Sequence, residues 1–244
     1  MMTRAEVAVR VAEGVTLGVR EIYLTGGEPF LHRELEGIVE DTLAVAPVTV
    51  LTNGTLFTPA RVRWLASTTR ASRYSLELRV SLDGTEAAAH DAFRGAGAWR
   101  RTMDGLRALR SAGLFPIITL TRPAQEDAAT LAARAREALA AERVEGSRLK
   151  LLPMFTLGRE TARPGHAPPL PSLAALPPGA FDDTRLQCGS CRAATSRGVF
   201  VCPLLVDEPG GRMGDTLAES ARPFALAHAA CATCWATGMT CAND

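Results

Sequence analysis

The chain has 244 residues, of which 47% are hydrophobic, and its 27 Lys and Arg side chains nearly balance its 26 Asp and Glu side chains. This composition indicates a soluble globular protein, and a net charge of +1 gives no electrostatic reason to expect a nucleic-acid or membrane partner. The amino terminus lacks the features of a signal peptide and no stretch approaches the length of a membrane span, so a cytoplasmic protein is predicted.

Helical and strand patterns alternate along the first 152 residues. Helices are predicted where apolar residues recur every three or four positions, and strands where short apolar runs end in turn residues. In chain order, we predict a helix at 5–17, a strand at 21–25, a helix with Leu35, Ile38, Val39 and Leu43, a strand at 48–52, a helix after Pro59, a strand at 78–82, a helix with Met103, Leu106 and Leu109, a strand at 117–120, a helix at 125–140 and a strand at 149–152. This alternation predicts a parallel sheet that binds ligands beyond the carboxyl ends of its strands.

A proline-rich segment then separates two chemically different regions. Six prolines lie between Arg163 and Ala180 without helical or strand periodicity, which indicates an extended linker. We therefore predict a core at 1–159, a linker at 160–180 and a cysteine-rich domain at 181–244.

The first predicted strand ends in a glycine-rich loop, 25–30, with the sequence TGGEPF. Gly26 and Gly27 let the backbone approach a ligand closely, Glu28 supplies an acceptor for an ammonium group, and Pro29 fixes the exit of the loop. A tight turn between a strand and a helix explains this motif equally well.

The next two strands also end in short polar side chains. Asn53 follows the strand at 48–52, while Ser81 and Asp83 lie at the end of the strand at 78–82. Asn-Gly and Asp-Gly are common turn pairs, but successive parallel strands bring such residues to one edge of the sheet. There they are placed to hydrogen-bond ribose hydroxyls or an amino-acid group.

All six cysteines lie after position 187. They are Cys188, Cys191, Cys202, Cys231, Cys234 and Cys241. In a chain without an export signal, two CxxC pairs favour metal binding over disulfides, and their spacing suits either tetrahedral zinc or an iron–sulfur cluster.

Four motifs, in this order, resemble the radical S-adenosylmethionine superfamily: TGGEPF at 25–30, LTNG at 51–54, VSLDG at 80–84 and HDAFRG at 90–95. The resemblance is to the branch that carries SPASM or twitch cluster domains. It implies an α/β fold: a partial (β/α)6 barrel missing its first strand, followed by a small SPASM- or twitch-like domain.

The resemblance also implies roles for the strand-end residues. Gly26, Gly27 and Glu28, with Pro29 in their loop, would hold the methionine amino group of S-adenosylmethionine. Asn53, Ser81 and Asp83 would contact its ribose or amino-acid part, and Arg94 would pair with its carboxylate. A solvated surface arginine is an equally good explanation of Arg94.

In the cysteine-rich region, RGVFVC at 197–202 and MGDTL at 213–217 resemble SPASM segments and favour one auxiliary 4Fe-4S cluster over zinc. Which four of the six cysteines bind that cluster stays open. The resemblance implies an enzyme that modifies a peptide or protein side chain by hydrogen abstraction, with electrons from a donor such as flavodoxin or ferredoxin.

The reactive cluster of this family is held by a CxxxCxxC motif, and no cysteine precedes Cys188 in the sequence. Either the start is assigned too late, which the surviving motifs favour, or the protein is a truncated relative. The alternative function is a non-catalytic protein whose cysteine-rich module binds zinc and a partner peptide.

Overall fold

The computed structural model describes residues 1–123, 125–154, 172–173, 176–177, 179–180, 182 and 186–237. The chain forms two compact units: Thr3–Leu152, called here the sheet unit, and Pro153–Asp244 with Met1–Met2, called the cysteine unit. Most of the predicted linker at 160–180 lies outside the described residues, as does Cys241. Within the described ranges, no helix is both long and apolar enough to cross a membrane.

Strands and helices alternate through the sheet unit. In chain order they are α1 (Arg4–Thr16), β1 (Ile22–Leu24), α2 (Leu35–Leu43), β2 (Val48–Thr52), α3 (Pro59–Ala71), β3 (Leu76–Leu82), α4 (Ala87–Arg94), α5 (Ala98–Ser111), β4 (Ile117–Arg122), α6 (Ala128–Ala141) and β5 (Leu149–Pro153). The strands form one sheet in the order β1-β2-β3-β4-β5, and β1 to β4 pair in parallel. The predicted α/β class is therefore confirmed.

Short sequence signals explain where several helices begin. Thr3 and Glu6 form a reciprocal capping box at the start of α1. Thr58 accepts a hydrogen bond from the first turn of α3, and Pro59 occupies the first helical position, where its missing N–H costs nothing. The carboxylate of Asp127 caps α6 in the same way.

The core of the sheet unit is a single cluster that joins the sheet to its helices. Its fully buried members include Val50 on β2, Val80 on β3, Leu65 on α3, and Met103 and Leu106 on α5. Each such side chain contributes about 1.5–3 kcal/mol by leaving water. Val80 points into this cluster together with Leu78 and Leu82, so Ser81 faces the opposite side of the sheet.

The structure differs from the sequence prediction at α4. One helix was predicted between the strands at 78–82 and 117–120, but two are present, because α4 precedes α5. Helix α4 has only eight residues and buries a single side chain, His90, so it lacks the recurring apolar positions that mark a helix.

Among its described residues, the cysteine unit contains a small antiparallel sheet and one α-helix. The strands are β6 (Ala193–Thr195), β7 (Gly198–Phe200) and β8 (Arg212–Gly214), and the helix is α7 (Ala229–Thr237). Gly198 has a φ of +114°, and a Cβ there would lie 2.6 Å from the carbonyl oxygen of Gly214. Only glycine allows β7 and β8 to approach this closely.

Candidate ligand site at the strand ends

Glu28 ties the loop after β1 to the end of β2. Its Oε1 accepts hydrogen bonds from the N–H of Phe30 at 3.1 Å and the hydroxyl of Thr52 at 2.7 Å, and its Oε2 accepts from the N–H of Asn53 at 2.7 Å. A carboxylate has about four acceptor positions, so three are taken by the protein itself. Glu28 therefore organises the strand ends and keeps room for about one further donor.

The glycines before Glu28 leave the outer side of the loop open. Both Gly26 and Gly27 are exposed, and a Cβ at either position would meet no atom of the described residues within 4 Å. Gly26 has a φ of +147°, which side chains rarely adopt, whereas no such constraint applies to Gly27. Their backbone groups are accessible to a ligand, which fits the predicted cradle for an ammonium group.

Asn53 holds the turn after β2 and offers a donor. Its Oδ1 accepts from the N–H of Thr55 at 2.9 Å and from the hydroxyl of the same residue at 2.7 Å. Its carbonyl oxygen accepts from the hydroxyl of Thr102 on α5 at 3.0 Å. Because Oδ1 is engaged, the NH2 group is the part of the side chain best placed to serve a ligand.

Gly54 presses this turn against β3. Its φ is +75°, and a Cβ there would lie 2.8 Å from the side chain of Val80 and 3.0 Å from that of Thr102. Since Thr52 is in register with Val80 across the two parallel strands, Asn53 and Ser81 follow side by side at the same edge. The prediction that these strand ends converge thus has a direct structural basis.

Asp83 and Arg94 form an ion pair beyond β3. The Nε of Arg94 donates to the carboxylate of Asp83, and the two side chains keep 34% and 16% of their exposure. Arg94 is exposed at the end of α4, so the pair is compatible with both sequence interpretations, a surface arginine and a ligand-binding one. A guanidinium has five N–H donors, so it can hold Asp83 and still offer donors to a ligand carboxylate.

His90 was part of the HDAFRG motif, but sequence reasoning gave it no role. Its side chain is 0% exposed, and its Nδ1 accepts the N–H of Asp83 at 3.2 Å. Burial is the main cause that lowers the pKa of His90 below its ordinary value; Asp83 opposes it, Arg94 acts in the same direction as burial, and Asp91 has a smaller opposing effect. The sequence signal that could have indicated a role for His90 is its position as the one histidine in the short alanine-rich segment of α4.

Asp91 supports the start of α5. Its carboxylate accepts the N–H groups of Gly97 and Trp99, each at 2.7 Å. The bond from Trp99 is the main cause of a lowered pKa for Asp91, and the bond from Gly97 acts in the same direction. This residue therefore replaces the capping side chain that Gly97, as the residue before α5, lacks.

Ser81 lies beside Thr119 of β4, on the face of the sheet opposite the core cluster that contains Val80. The two residues are in register, and Thr119 is 8% exposed with its hydroxyl lacking a hydrogen-bond partner among the described residues. Thr119 was not predicted as a site residue, because a single threonine within a β-branched strand carries no distinguishing signal.

Four of the predicted metal ligands share one apolar cluster of the cysteine unit: Cys188, Cys202, Cys231 and Cys234. Burial raises the pKa of Cys231, and the nearby Cys188 acts in the same direction. Cys191 is half-buried and is not part of this cluster. Across the part of the chain that the structure describes, no three His, Cys, Asp or Glu side chains are placed to hold a metal ion.

Arg192 fixes the loop that carries Cys188 and Cys191. Its Nη1 donates to the carbonyl oxygens of Cys188 at 2.6 Å and Cys191 at 2.7 Å, and its Nε donates to that of Ser220 at 3.0 Å. The guanidinium thus joins the CxxC loop to the segment before α7 and places a positive charge beside both cysteines.

The sheet unit thus has the architecture of an α/β protein with a ligand site at the carboxyl ends of parallel strands. The radical SAM superfamily model matches residues 1–124. The chain belongs to this superfamily, which uses S-adenosylmethionine and a 4Fe-4S cluster.

Two curated relatives show how far the similarity extends. The AdoMet-dependent heme synthase of Methanosarcina barkeri is 38% identical over 117 residues, covering 47% of this chain and 32% of the relative. The GTP 3',8-cyclase of Microcystis aeruginosa is 31% identical over 127 residues, covering 48% of this chain and 36% of the relative. The chain therefore matches about a third of the length of these relatives.

Among solved structures, the chain is similar to Streptococcus suis SuiB bound to S-adenosylmethionine. The TM-score is 0.49 at 14% sequence identity, with 62% of this chain and 34% of that chain covered.

Proposed function

We propose that the strand-end site of the sheet unit binds S-adenosylmethionine and that the protein acts as a radical enzyme. When bound and reduced through an iron–sulfur cluster, S-adenosylmethionine supplies a carbon radical that can abstract a hydrogen atom. One observation carries the proposal: Glu28 joins the open glycine loop after β1 to the end of β2, where Asn53 lies beside Ser81.

Each residue of the site has a chemical task that its present contacts allow. The exposed backbone carbonyls of Gly26 and Gly27 accept from the ammonium group of the methionine part, and buried Pro29 holds the loop that presents them. The NH2 of Asn53 and the hydroxyl of Ser81 serve ribose or amino-acid oxygens. Arg94, held by Asp83, offers its other N–H groups to the carboxylate.

Gly27→Ala tests this assignment. Since a Cβ at Gly27 would meet no atom of the described residues within 4 Å, we expect the thermal midpoint of unfolding to stay unchanged. We expect the affinity for S-adenosylmethionine, measured by equilibrium dialysis, to fall by about tenfold or more because the methyl group occupies the ligand side of the loop. Arg94→Gln should weaken binding similarly, whereas the exposed Arg100→Gln should not. Undiminished binding by both Gly27→Ala and Arg94→Gln would reject the site.

We further propose that the cysteine unit is of the SPASM or twitch type and binds an auxiliary 4Fe-4S cluster. The packing of Cys188, Cys202, Cys231 and Cys234 in one apolar cluster supports this set of ligands. Their sulfur atoms do not converge in the described structure, so binding requires local closure of the cysteine loops.

Metal analysis of anaerobically purified protein separates iron–sulfur from zinc. Iron and acid-labile sulfide with a visible absorption band support the auxiliary cluster, and Cys202→Ser should remove them while Cys191→Ser reduces them less. Stoichiometric zinc in a colourless protein would instead support the non-catalytic module that binds a partner peptide.

A peptide or protein side chain is the proposed substrate, with flavodoxin or ferredoxin as the proposed electron donor and the cytoplasm as the proposed location. The substrate and donor proposals follow from the resemblance of 197–202 and 213–217 to SPASM segments, and the location follows from the amino-terminal sequence. Mass spectrometry of candidate peptides incubated with the reduced full-length enzyme would test them, and modification of only small non-peptide substrates would reject the peptide assignment.

A further inference from the structure

The turn after β3 is packed on helix α4 without any space between them. At Gly84, a Cβ would lie 2.6 Å from the Cβ of Ala89 and 2.9 Å from the backbone nitrogen of His90. Only glycine fits this position, so the backbone around Asp83 is held against one turn of α4. His90 lies on that turn and is completely buried.

One hydrogen bond orients the backbone of Asp83, the first residue after β3. Strand β3 ends at Leu82, and the N–H of Asp83 donates to the Nδ1 of His90 at 3.2 Å. A fixed peptide plane fixes the position of the Asp83 Cα and leaves φ and the side-chain torsions to set the direction of the carboxylate. His90 thus orients the backbone from which the carboxylate of Asp83 pairs with Arg94.

The imidazole can accept this bond only in its neutral form. Because Nδ1 is the acceptor, the ring proton resides on Nε2. Burial and the facing Arg94 lower the pKa of His90, while Asp83 and Asp91, the other charged groups near it, act in the opposite direction. The ring also packs edge-to-face on Trp99 of α5, with centroids 5.8 Å apart and planes at 67°.

The second ring nitrogen of His90 indicates that this residue has a role besides packing. Nε2 of His90 is buried and has no hydrogen-bond partner among the described residues. A buried donor without an acceptor is unfavourable, and an apolar side chain of similar shape would avoid it. The acceptor at Nδ1 is the feature that only a neutral histidine, or a close mimic, supplies here.

We propose that His90 is a positioning residue that fixes the backbone of Asp83 and thereby aims the Asp83–Arg94 pair at the bound ligand. The expected effect of His90 on ligand affinity rests on the proposed S-adenosylmethionine site. The hydrogen bond between His90 and Asp83 is independent of that site.

Three variants separate acceptor geometry from packing. His90→Asn keeps an oxygen near the position of Nδ1, His90→Phe keeps the ring without an acceptor, and His90→Gln places its oxygen one carbon farther out. With the full chain, we expect His90→Asn to bind S-adenosylmethionine within about threefold of the wild type. We expect His90→Phe and His90→Gln to bind about tenfold or more weakly.

Amide hydrogen exchange at Asp83, followed by NMR, reports the bond without any ligand. We expect exchange at least about tenfold faster in His90→Phe and His90→Gln and nearly unchanged in His90→Asn. The wild-type affinity should also decrease as the pH falls through the pKa of His90, and this component should be missing in His90→Asn.

The outcomes distinguish the two proposals. If the wild type does not bind S-adenosylmethionine but Asp83 exchange follows this order, the positioning role of His90 stands and the proposed function fails. If folded His90→Gln or His90→Phe retains both slow Asp83 exchange and wild-type affinity, His90 is only a packing residue and the inference is wrong. Should His90→Phe not fold, the pair of His90→Gln and His90→Asn decides.

Discussion

Replacing Thr52 with valine tests the link between the ends of β1 and β2. Thr52 is 4% exposed, and its hydroxyl donates to Glu28 at 2.7 Å and accepts the N–H of Gly54 at 3.1 Å. Thr52→Val preserves the shape of the side chain and removes both bonds. The carboxylate of Glu28 then loses one of its three donors, and the buried N–H of Gly54 loses its acceptor.

The magnitude follows from those two losses. A hydrogen bond to a charged group contributes roughly 1.5–3 kcal/mol, and a buried donor without an acceptor costs about 1–3 kcal/mol. Burying a methyl group in place of the hydroxyl returns about 1 kcal/mol. We therefore expect the free energy of unfolding of the sheet unit to fall by about 3 kcal/mol in Thr52→Val.

Thr42→Val is a matched control for this substitution. Thr42 is 1% exposed, but its hydroxyl donates only to the carbonyl of Ile38, one turn earlier in α2. Losing that bond leaves no buried donor without an acceptor, so we expect a cost below about 1 kcal/mol. Urea unfolding followed by tryptophan fluorescence measures both variants. Equal destabilisation by the two would refute the role assigned to Thr52 and Glu28.

Three further predictions concern backbone fit, pH and the cysteine loop. Gly54→Ala should destabilise the sheet unit by about 1–3 kcal/mol more than Gly18→Ala in urea unfolding, because both have a positive φ but only Gly54 meets neighbouring side chains. Asp91→Asn should lower the thermal midpoint of unfolding at pH 7. Because folding lowers the pKa of Asp91, the difference in midpoint between wild type and variant should be fully present above the unfolded-state pKa, and it should disappear as the pH falls through the folded-state pKa. Arg192→Lys should lower the unfolding midpoint of the cysteine unit more than Arg222→Lys, since Arg192 holds several carbonyls and Arg222 one.

The sheet could be predicted from sequence because its signals are local. The strand at 48–52 was predicted with the bounds it has as β2, and its turn followed from the adjacent Asn-Gly pair. By contrast, the bonds of Glu28 to residues 24 and 25 positions later depend on how two loops meet in space. No periodicity along the chain reports such a contact.

The cysteines are a second case in which contacts between residues far apart in the sequence could not be predicted. Their CxxC spacing predicted metal chemistry but left all six as equivalent candidates. Cys188 and Cys231 are 43 positions apart in the sequence and still enter one apolar cluster, because the chain between them forms the small sheet β6–β8. This tertiary packing, and not the CxxC spacing, distinguishes Cys191 from the four cysteines of the apolar cluster.

In this chain, the residues of the superfamily motifs form hydrogen bonds mainly with other motif residues or with the elements next to them. Glu28 binds the end of β2, His90 binds the backbone of Asp83, and Asp91 binds the start of α5. These bonds would stabilise the fold whether or not the protein performs chemistry, so the presence of the motifs is not in itself evidence of catalysis. Gly27 is different, because no atom of the described residues would lie within 4 Å of a Cβ there and its φ is not positive. We therefore expect a side chain at Gly27 to leave the fold unchanged, so that a loss of binding in Gly27→Ala reports the ligand site.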